Sequence, residues 1–531
     1  MKRWWIVLLA IALAGAVAVA QEPVKGGILR LRVPRELTLP ELPPYAQAGG
    51  PELSWPVFET LVWLDADSLN YTGCLAESWE TSDFQTWILR LRKNVKWHDG
   101  EPFTATDVVF SFELVSHPSV PAVQMYSIDL IEGYQAYRDG QAEHLAGIEV
   151  VDDYTVKITL TKPSPQFLLT LARVPMLPAH ILANLSVEEN MEWDFWDNSV
   201  GTGPFKFGEK SPGQYIRFDK FSEYWRGEPY LDSIVFRVYK EKGPFLLDLQ
   251  AGRVDGTSLV YPFTLTDAER EAIKNNPKLR YIRRPGFTVR GLVFNLNRLP
   301  NREVRRALML ALDVPELDKI IGTVDPTRSV FAEPRFRSPK VDQNFQYDPD
   351  EARAILEREG WDFNRELKVV TYYTTKPFRD LLAAIQAYWA QIGVKAKVSH
   401  VEVPTFVDIW YRKKEADILW CGFGQLPGFP SCEETFFSSQ RMYPAGANIS
   451  YRNPIADCLL NCMRNTADVE NKIILAHHFD EFAYEEFYHA VFYASVEEAI
   501  ISSRVHNFRM WLTVLAMDMK IDKWWVEPTS D

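Results

Sequence analysis

Long apolar runs are scarce in this chain. After the first twenty residues no segment approaches the ~20 uninterrupted apolar residues that a membrane helix needs, which argues against a multi-span membrane protein. Basic runs are missing as well. Against 58 Lys+Arg stand 71 Asp+Glu, a net charge of −13 over 531 residues. A protein that tracks phosphates needs a basic face, so nucleic acid is not an expected partner. Cysteine is sparse at five: Cys74, Cys421, Cys432, Cys458 and Cys462. Five thiols cannot all pair within one chain, and the clustering of the last four favours one or two local bridges near the C-terminal end. Cys458 and Cys462 stand at i and i+4 on a helix predicted over 455–464, so each is expected to bond elsewhere. No His lies between Cys421 and Cys462, and the remaining spacings match no zinc pattern.

The marks of covalent chemistry are also absent. There is no G-x-S-x-G elbow, no S-x-x-K set in a usable context and no Walker loop. Gly422, Gly424 and Gly428 have the wrong spacing for a phosphate loop, and Pro427 interrupts them; a loop beside a cleft is the better reading. His477-His478 with Glu481, Glu485 and His489 is not the H-E-x-x-H of zinc proteases. An amphipathic helix from about 469 to 482, burying Ile474, Leu475 and Phe479, explains that cluster more simply. The pairs Asp152-Asp153 and Glu433-Glu434 read as solvated loop acids. No catalytic residue, metal ligand or cofactor is assigned, and no enzyme activity is expected.

What is present is an ordinary globular composition, 47% hydrophobic and 24% charged, with length for several folding units. Trp is abundant at 17 residues, most of them expected in the core and a few available to stack on a ligand. At the amino terminus, Lys2 and Arg3 precede an apolar stretch ending in Ala18-Val19-Ala20. That is the layout of a secretory signal peptide cleaved after Ala20. No Cys follows the cleavage point, so a lipid anchor there is not indicated, and the chain is expected to be periplasmic.

Two textures follow. Trp87, Leu89 and Leu91 alternate as one face of a half-buried strand. Thr104, with Asp107 three residues on, opens a helix. Residues 201–239 read as sheet, with alternation at Ile216 and Phe218 and again at Ile234, Phe236 and Val238. In the second half, Asp348-Pro349-Asp350-Glu351 is a capped helix start and Gly360 its stop. A strand over 367–371, a helix striped by Leu381, Leu382, Ile385, Trp389 and Ile392, and a strand through Val394, Ala396 and Val398 make a βαβ unit. Another buried strand is expected over 417–422. A mainly parallel sheet should therefore lie there, and a ligand would favour the seam between the halves.

Read in order, several segments resemble the ABC-transporter extracellular solute-binding proteins that serve oligopeptide, dipeptide and nickel uptake. They are Leu75-Ala76-Glu77-Ser78-Trp79-Glu80, the long run from Leu89 through Lys96-Trp97-His98-Asp99-Gly100 to Ser111, and Gly201-Thr202-Gly203-Pro204-Phe205. Tyr224-Trp225-Arg226-Gly227-Glu228-Pro229-Tyr230, Leu249 to Asp255 and Phe294-Asn295-Leu296-Asn297 follow. Val304-Arg305-Arg306-Ala307-Leu308 and Tyr347-Asp348-Pro349 complete the series. The resemblance spans Gly26 to the C-terminus. It implies an α/β, two-lobed periplasmic-binding-protein type II (Venus-flytrap) fold with an extra inserted domain. Lobe I would comprise 27–58, 198–290 and 500–531, the inserted α+β domain 59–197 packed on it, and the α/β lobe II 291–499. It also implies a monomer that closes on a small solute and delivers it unchanged to permease and ATPase subunits.

In members of that family that take peptides, a carboxylate after the strand near residue 420 holds the peptide's amino terminus. Here Trp420 to Gly428 contains no acid; Asp417 precedes it and Glu433 follows. The anchoring place falls to Phe423 or Gln425. An amide and an aromatic suit a hydroxyl-rich ligand, so oligosaccharide stands beside oligopeptide, which stays ahead on family frequency. Nickel is disfavoured, because no His lies between His400 and His477. From the other lobe, Tyr45, Gln47 and Gly49 are the expected contacts, with Trp420 either a wall of the site or a buried strand residue. A sensor protein or a secreted hydrolase are the readings from other classes.

Overall fold

The computed structural model describes residues 22–33, 54, 56–65, 68, 70–120, 127–192, 195–257, 265–342, 344, 346–425, 431–443, 447–510 and 518–528. Local signals become structure where expected. The Thr104 capping box opens α1 (Ala105–Ser116), with the Asp107 carboxylate accepting from Thr104 N at 2.8 Å. Trp87, Leu89 and Leu91 all lie inward on the strand Thr86–Leu91, which belongs to a four-stranded antiparallel sheet within residues 76–159. Three local expectations fail. Glu433, read as a solvated loop acid, is buried on the helix Ser431–Phe437. Ile474 is 55% exposed, because the buried stripe of its helix runs through Ala476, Phe479, Asp480 and Ala483. Cys458 and Cys462 are neighbouring exposed thiols without a bridge, and Cys74 is a buried thiol.

One eleven-stranded mixed sheet organises the rest. Its strands are β1 (Ile28–Val33), β2 (Phe205–Ser211), β3 (Tyr215–Lys220), β4 (Ser233–Val238), β5 (Gly256–Thr257), β6 (Leu279–Phe294), β7 (Glu366–Thr371), β8 (Lys395–His400), β9 (Ile418–Gly424) and β10 (His489–Ser502). They follow the order β8-β7-β9-β6-β10-β5-β1-β4-β3-β2, with Asp325–Pro326 pairing onto β10 off that path. The predicted βαβ unit is β7, α2 (Lys376–Gln391) and β8, parallel in register Glu366↔Lys395 to Thr371↔His400. Both faces of this part of the sheet are covered. Leu292, Trp389, Trp420 and Phe492 share one core; Val293, Leu419, Phe423 and Phe479 share another. A strand buried on both faces reads as a continuous apolar run, as Ile418–Phe423 does.

The ladder directions position the site. β1, β4 and β5 are mutually parallel, and β5 is antiparallel to β10. β6 is antiparallel to both β10 and β9, and β9 is parallel to β7. The parallel strands of the two lobes thus run toward each other. β5 joins β10 at Ile501, opposite Arg280 of β6, whereas β9 joins β6 only from Thr288 onward. Between those levels β6 and β10 form a bare two-stranded ribbon, residues 282–287 against 495–499, about 20 Å long. A register shift interrupts it between Pro285 and Val289, and a second follows just beyond it between Arg290 and Gly291. Two lobes on one narrow, irregular ribbon form a hinged pair.

Candidate functional site

In open α/β sheets, ligands lie outside the carboxyl ends of the parallel strands. Here β1, β4 and β5 end at Val33, Val238 and Thr257 from one side, and β7, β8 and β9 end at Thr371, His400 and Gly424 from the other. All six ends converge on the ribbon. The candidate site is therefore the space between the lobes, with the ribbon as its floor.

Tyr45, Gln47 and Gly49 lie outside the described residues. Trp420 has no exposed surface. Its ring meets Phe492 edge-on at 5.1 Å in the lobe II core, so it is a buried strand residue and lines no cleft. Phe423 points to the opposite face of the sheet, against Phe436 and His489, with ring centroids 3.8 and 4.7 Å away. Burial lowers the His489 imidazole to about 3, so it stays neutral there. Gln425 is committed inside lobe II. Its Oε1 accepts from Ala332 N at 2.5 Å, and its Nε2 donates to Val330 O at 2.6 Å and to the Glu433 carboxylate. An amide so engaged clamps the end of β9 to the neighbouring loop and leaves little for a ligand.

Different side chains face the space. On one face of the ribbon, Ala499 and Ile501 of β10 enter the lobe I core and Tyr493 enters the lobe II core; Ser495 and Glu497 stand between. On β6, Arg284 lies opposite Glu497, and Arg290 lies opposite Tyr493. The Arg290 guanidinium sits 5.7 Å from the ring centres of both Tyr373 and Phe378, which follow the end of β7. Two glycines make the floor thin. A Cβ at Gly422 would meet Arg290 Nε and Tyr373 Oη at 3.0 Å, and one at Gly286 would meet Ser495 Oγ at 2.1 Å and Glu497 Oε1 at 3.1 Å. Beside them β9 overhangs. Its ladder with β6 covers Ile418 to Gly424, but its ladder with β7 stops after Val370↔Leu419.

Glu497 and its neighbour Glu498 differ in environment. On the reverse face, Glu498 takes Arg270 at 2.7 Å and the Tyr281 hydroxyl. Glu497 has no hydrogen bond or ion pair among the described residues. Burial, and then repulsion from Glu498, push its carboxyl above the ordinary range, with Arg290 opposing. Sequence reasoning passed over Arg290 and Glu497. The available signal was a charge inside an otherwise buried strand, in FTVRGLVF and in FYASVEEAII, since unpaired charges are rare in such places. Among the described residues no cluster of three or more His, Cys, Asp or Glu is placed to hold a metal ion.

Comparison with known proteins agrees with this architecture. Residues 70–440 match the family model described as bacterial extracellular solute-binding proteins, family 5 Middle. A putative ABC transporter peptide-binding protein of Brucella ovis is 31% identical over 426 residues, 76% of this chain and 75% of that protein. The dipeptide-binding protein of Escherichia coli is 29% identical over 366 residues, 65% of this chain and 66% of that protein. The oligopeptide-binding protein AppA of Bacillus subtilis, solved with a nonapeptide, superposes with a TM-score of 0.69 at 22% identity, over 96% of this chain and 100% of that one. With converging strand ends, a hinged ribbon and a family match across the middle of the chain, this protein belongs to the bacterial extracellular solute-binding proteins, family 5.

Proposed function

We propose that this protein is the substrate-binding component of an ABC importer, capturing a short peptide over the hinge ribbon and releasing it unchanged to its permease and ATPase subunits. The observation that carries the reading is the overhang of β9 past β7 beyond Leu419, which includes Gly422. An extended peptide recognises such an edge through its backbone, so one site accepts many sequences. The names of the Brucella, Escherichia and Bacillus relatives all specify peptides, which supports the same reading. Oligosaccharide loses the amide expected to meet it, because Gln425 is engaged within lobe II. The protein is proposed to act as a monomer, exported to the periplasm with cleavage after Ala20. Its lobes are divided at 27–58, 198–290 and 500–531 against 291–499, with 59–197 inserted.

Closure follows from hinge physics. Ligand favours the closed form only by the amount by which it binds that form more tightly. Moving the equilibrium from 1:99 to 99:1 takes about 5.5 kcal/mol of differential binding. The test is thermal stabilisation of the mature protein by a pool of short peptides and, separately, by cello-, xylo- and manno-oligosaccharides. Stabilisation by peptides is expected. Stabilisation by sugars alone would overturn the peptide assignment.

A further inference from the structure

The interlobe face of the hinge strands carries Arg290 and Glu497, with Arg284 directly across from Glu497 but in no ion pair with it among the described residues. The cation is Arg290, between Tyr373 and Phe378, with its Nε buried and lacking a hydrogen-bond partner among the described residues. Beside it are the hydroxyls of Tyr373 and Tyr493, which favour its charge, and no carboxylate forms an ion pair with it among the described residues. The anion is Glu497, next to Gly286, and no ion pair joins it to Arg290. Two other buried charges show what full engagement looks like. Arg305 donates to four backbone carbonyls, and Glu498, one residue from Glu497, is held by Arg270 and Tyr281. Desolvating a charge without giving it a partner is costly. Glu497, without an ion pair, and Arg290, held only by aromatic rings and tyrosine hydroxyls, stand on one thin-floored face arranged for partners that arrive from outside.

We propose that Glu497 and Arg290 are the charge-recognition residues of the cleft, Glu497 receiving the ammonium and Arg290, with the Tyr493 hydroxyl, the carboxylate of a zwitterionic ligand. This rests on the peptide reading above and names the groups that replace the missing acid after β9. The counter-charge has moved from the loop beyond β9 to hinge strand β10. Because β10 also joins the lobes, a ligand held there touches the element whose bending sets the open and closed forms.

The experiment uses the full mature protein and a library of random peptides two to five residues long in free, N-acetylated and C-amidated forms. Binding is followed by calorimetry, and the captured species are read by mass spectrometry. Wild type is expected to prefer free peptides by tenfold or more over either blocked form. Glu497→Gln should lose the preference over N-acetylated peptides and keep the preference over amides. Arg290→Met should do the reverse. In the ligand-free state Glu497→Gln should melt no lower than wild type, since it removes a buried charge that makes no ion pair; a marked drop would make Glu497 structural and overturn the proposal. Free-peptide binding unchanged in both variants would overturn it while leaving the importer reading intact. A wild type that captures no peptide of any form would overturn the peptide reading and the zwitterion together.

Discussion

Replacing Glu59 by Gln should flatten the dependence of stability on pH. Glu59 is 3% exposed and accepts from Tyr224 Oη at 2.7 Å, Trp225 Nε1 at 2.9 Å and Thr202 Oγ1 at 3.0 Å. Burial pushes its carboxyl up to about 7 despite these three donors and nearby Arg226. A carboxyl raised on folding holds its proton more tightly in the native state. The resulting stabilisation is fully present below the unfolded value near 4.5 and is lost as pH rises through about 7. At about 1.4 kcal/mol per pKa unit, ionising Glu59 costs the native state about 3 kcal/mol by pH 8. Gln keeps the shape. Its oxygen can accept from Trp225 and Thr202, and its amide can donate to Tyr224 once that hydroxyl rotates. Urea unfolding between about pH 5 and pH 8 measures the effect. The stacked pair Trp63 and Trp225, 5.9 Å apart, supplies a local fluorescence signal. Wild type should lose about 2.5 kcal/mol more than Glu59→Gln across that interval. Parallel profiles for the two proteins would refute the reasoning.

Three further outcomes follow from the packing. Trp420→Phe should cost about 2 kcal/mol or more in thermal unfolding, through the cavity left beside Phe492, while peptide affinity stays at the wild-type value; a selective loss of affinity would return Trp420 to the cleft wall. Arg305→Lys should destabilise lobe II by about 3 kcal/mol in denaturant melts, because a single ammonium cannot serve the carbonyls of Leu299, Pro300, Glu486 and Phe487 at once. Titration with Ellman's reagent should show that the Cys458→Ser, Cys462→Ser double variant loses two rapidly reacting thiols, whereas Cys74 reacts only on unfolding; an unchanged fast phase would mean that the pair is bridged in solution.

The sequence alone determined what depends on near neighbours. Asp348, Pro349 and Glu351 make a helix start wherever they fall, and in the folded chain Asp348 Oδ1 accepts from Glu351 N at 2.9 Å. The alternation at Trp87, Leu89 and Leu91 and the stripe of α2 likewise chose their buried faces, because apolar area must leave water whatever the topology. The ordered motifs then identified a family whose two-lobed fold the chain adopts. The site was decided by tertiary structure. Gln425 and Phe423 looked available in sequence, yet Ala332, Val330, Glu433 and Phe436 turn both into lobe II. Arg290 and Glu497 stand more than two hundred residues apart and share a face only because β6 and β10 pair across the hinge. Caps and periodicity report local geometry and the need to bury surface. Which charge is left without a partner depends on what the distant chain brings beside it.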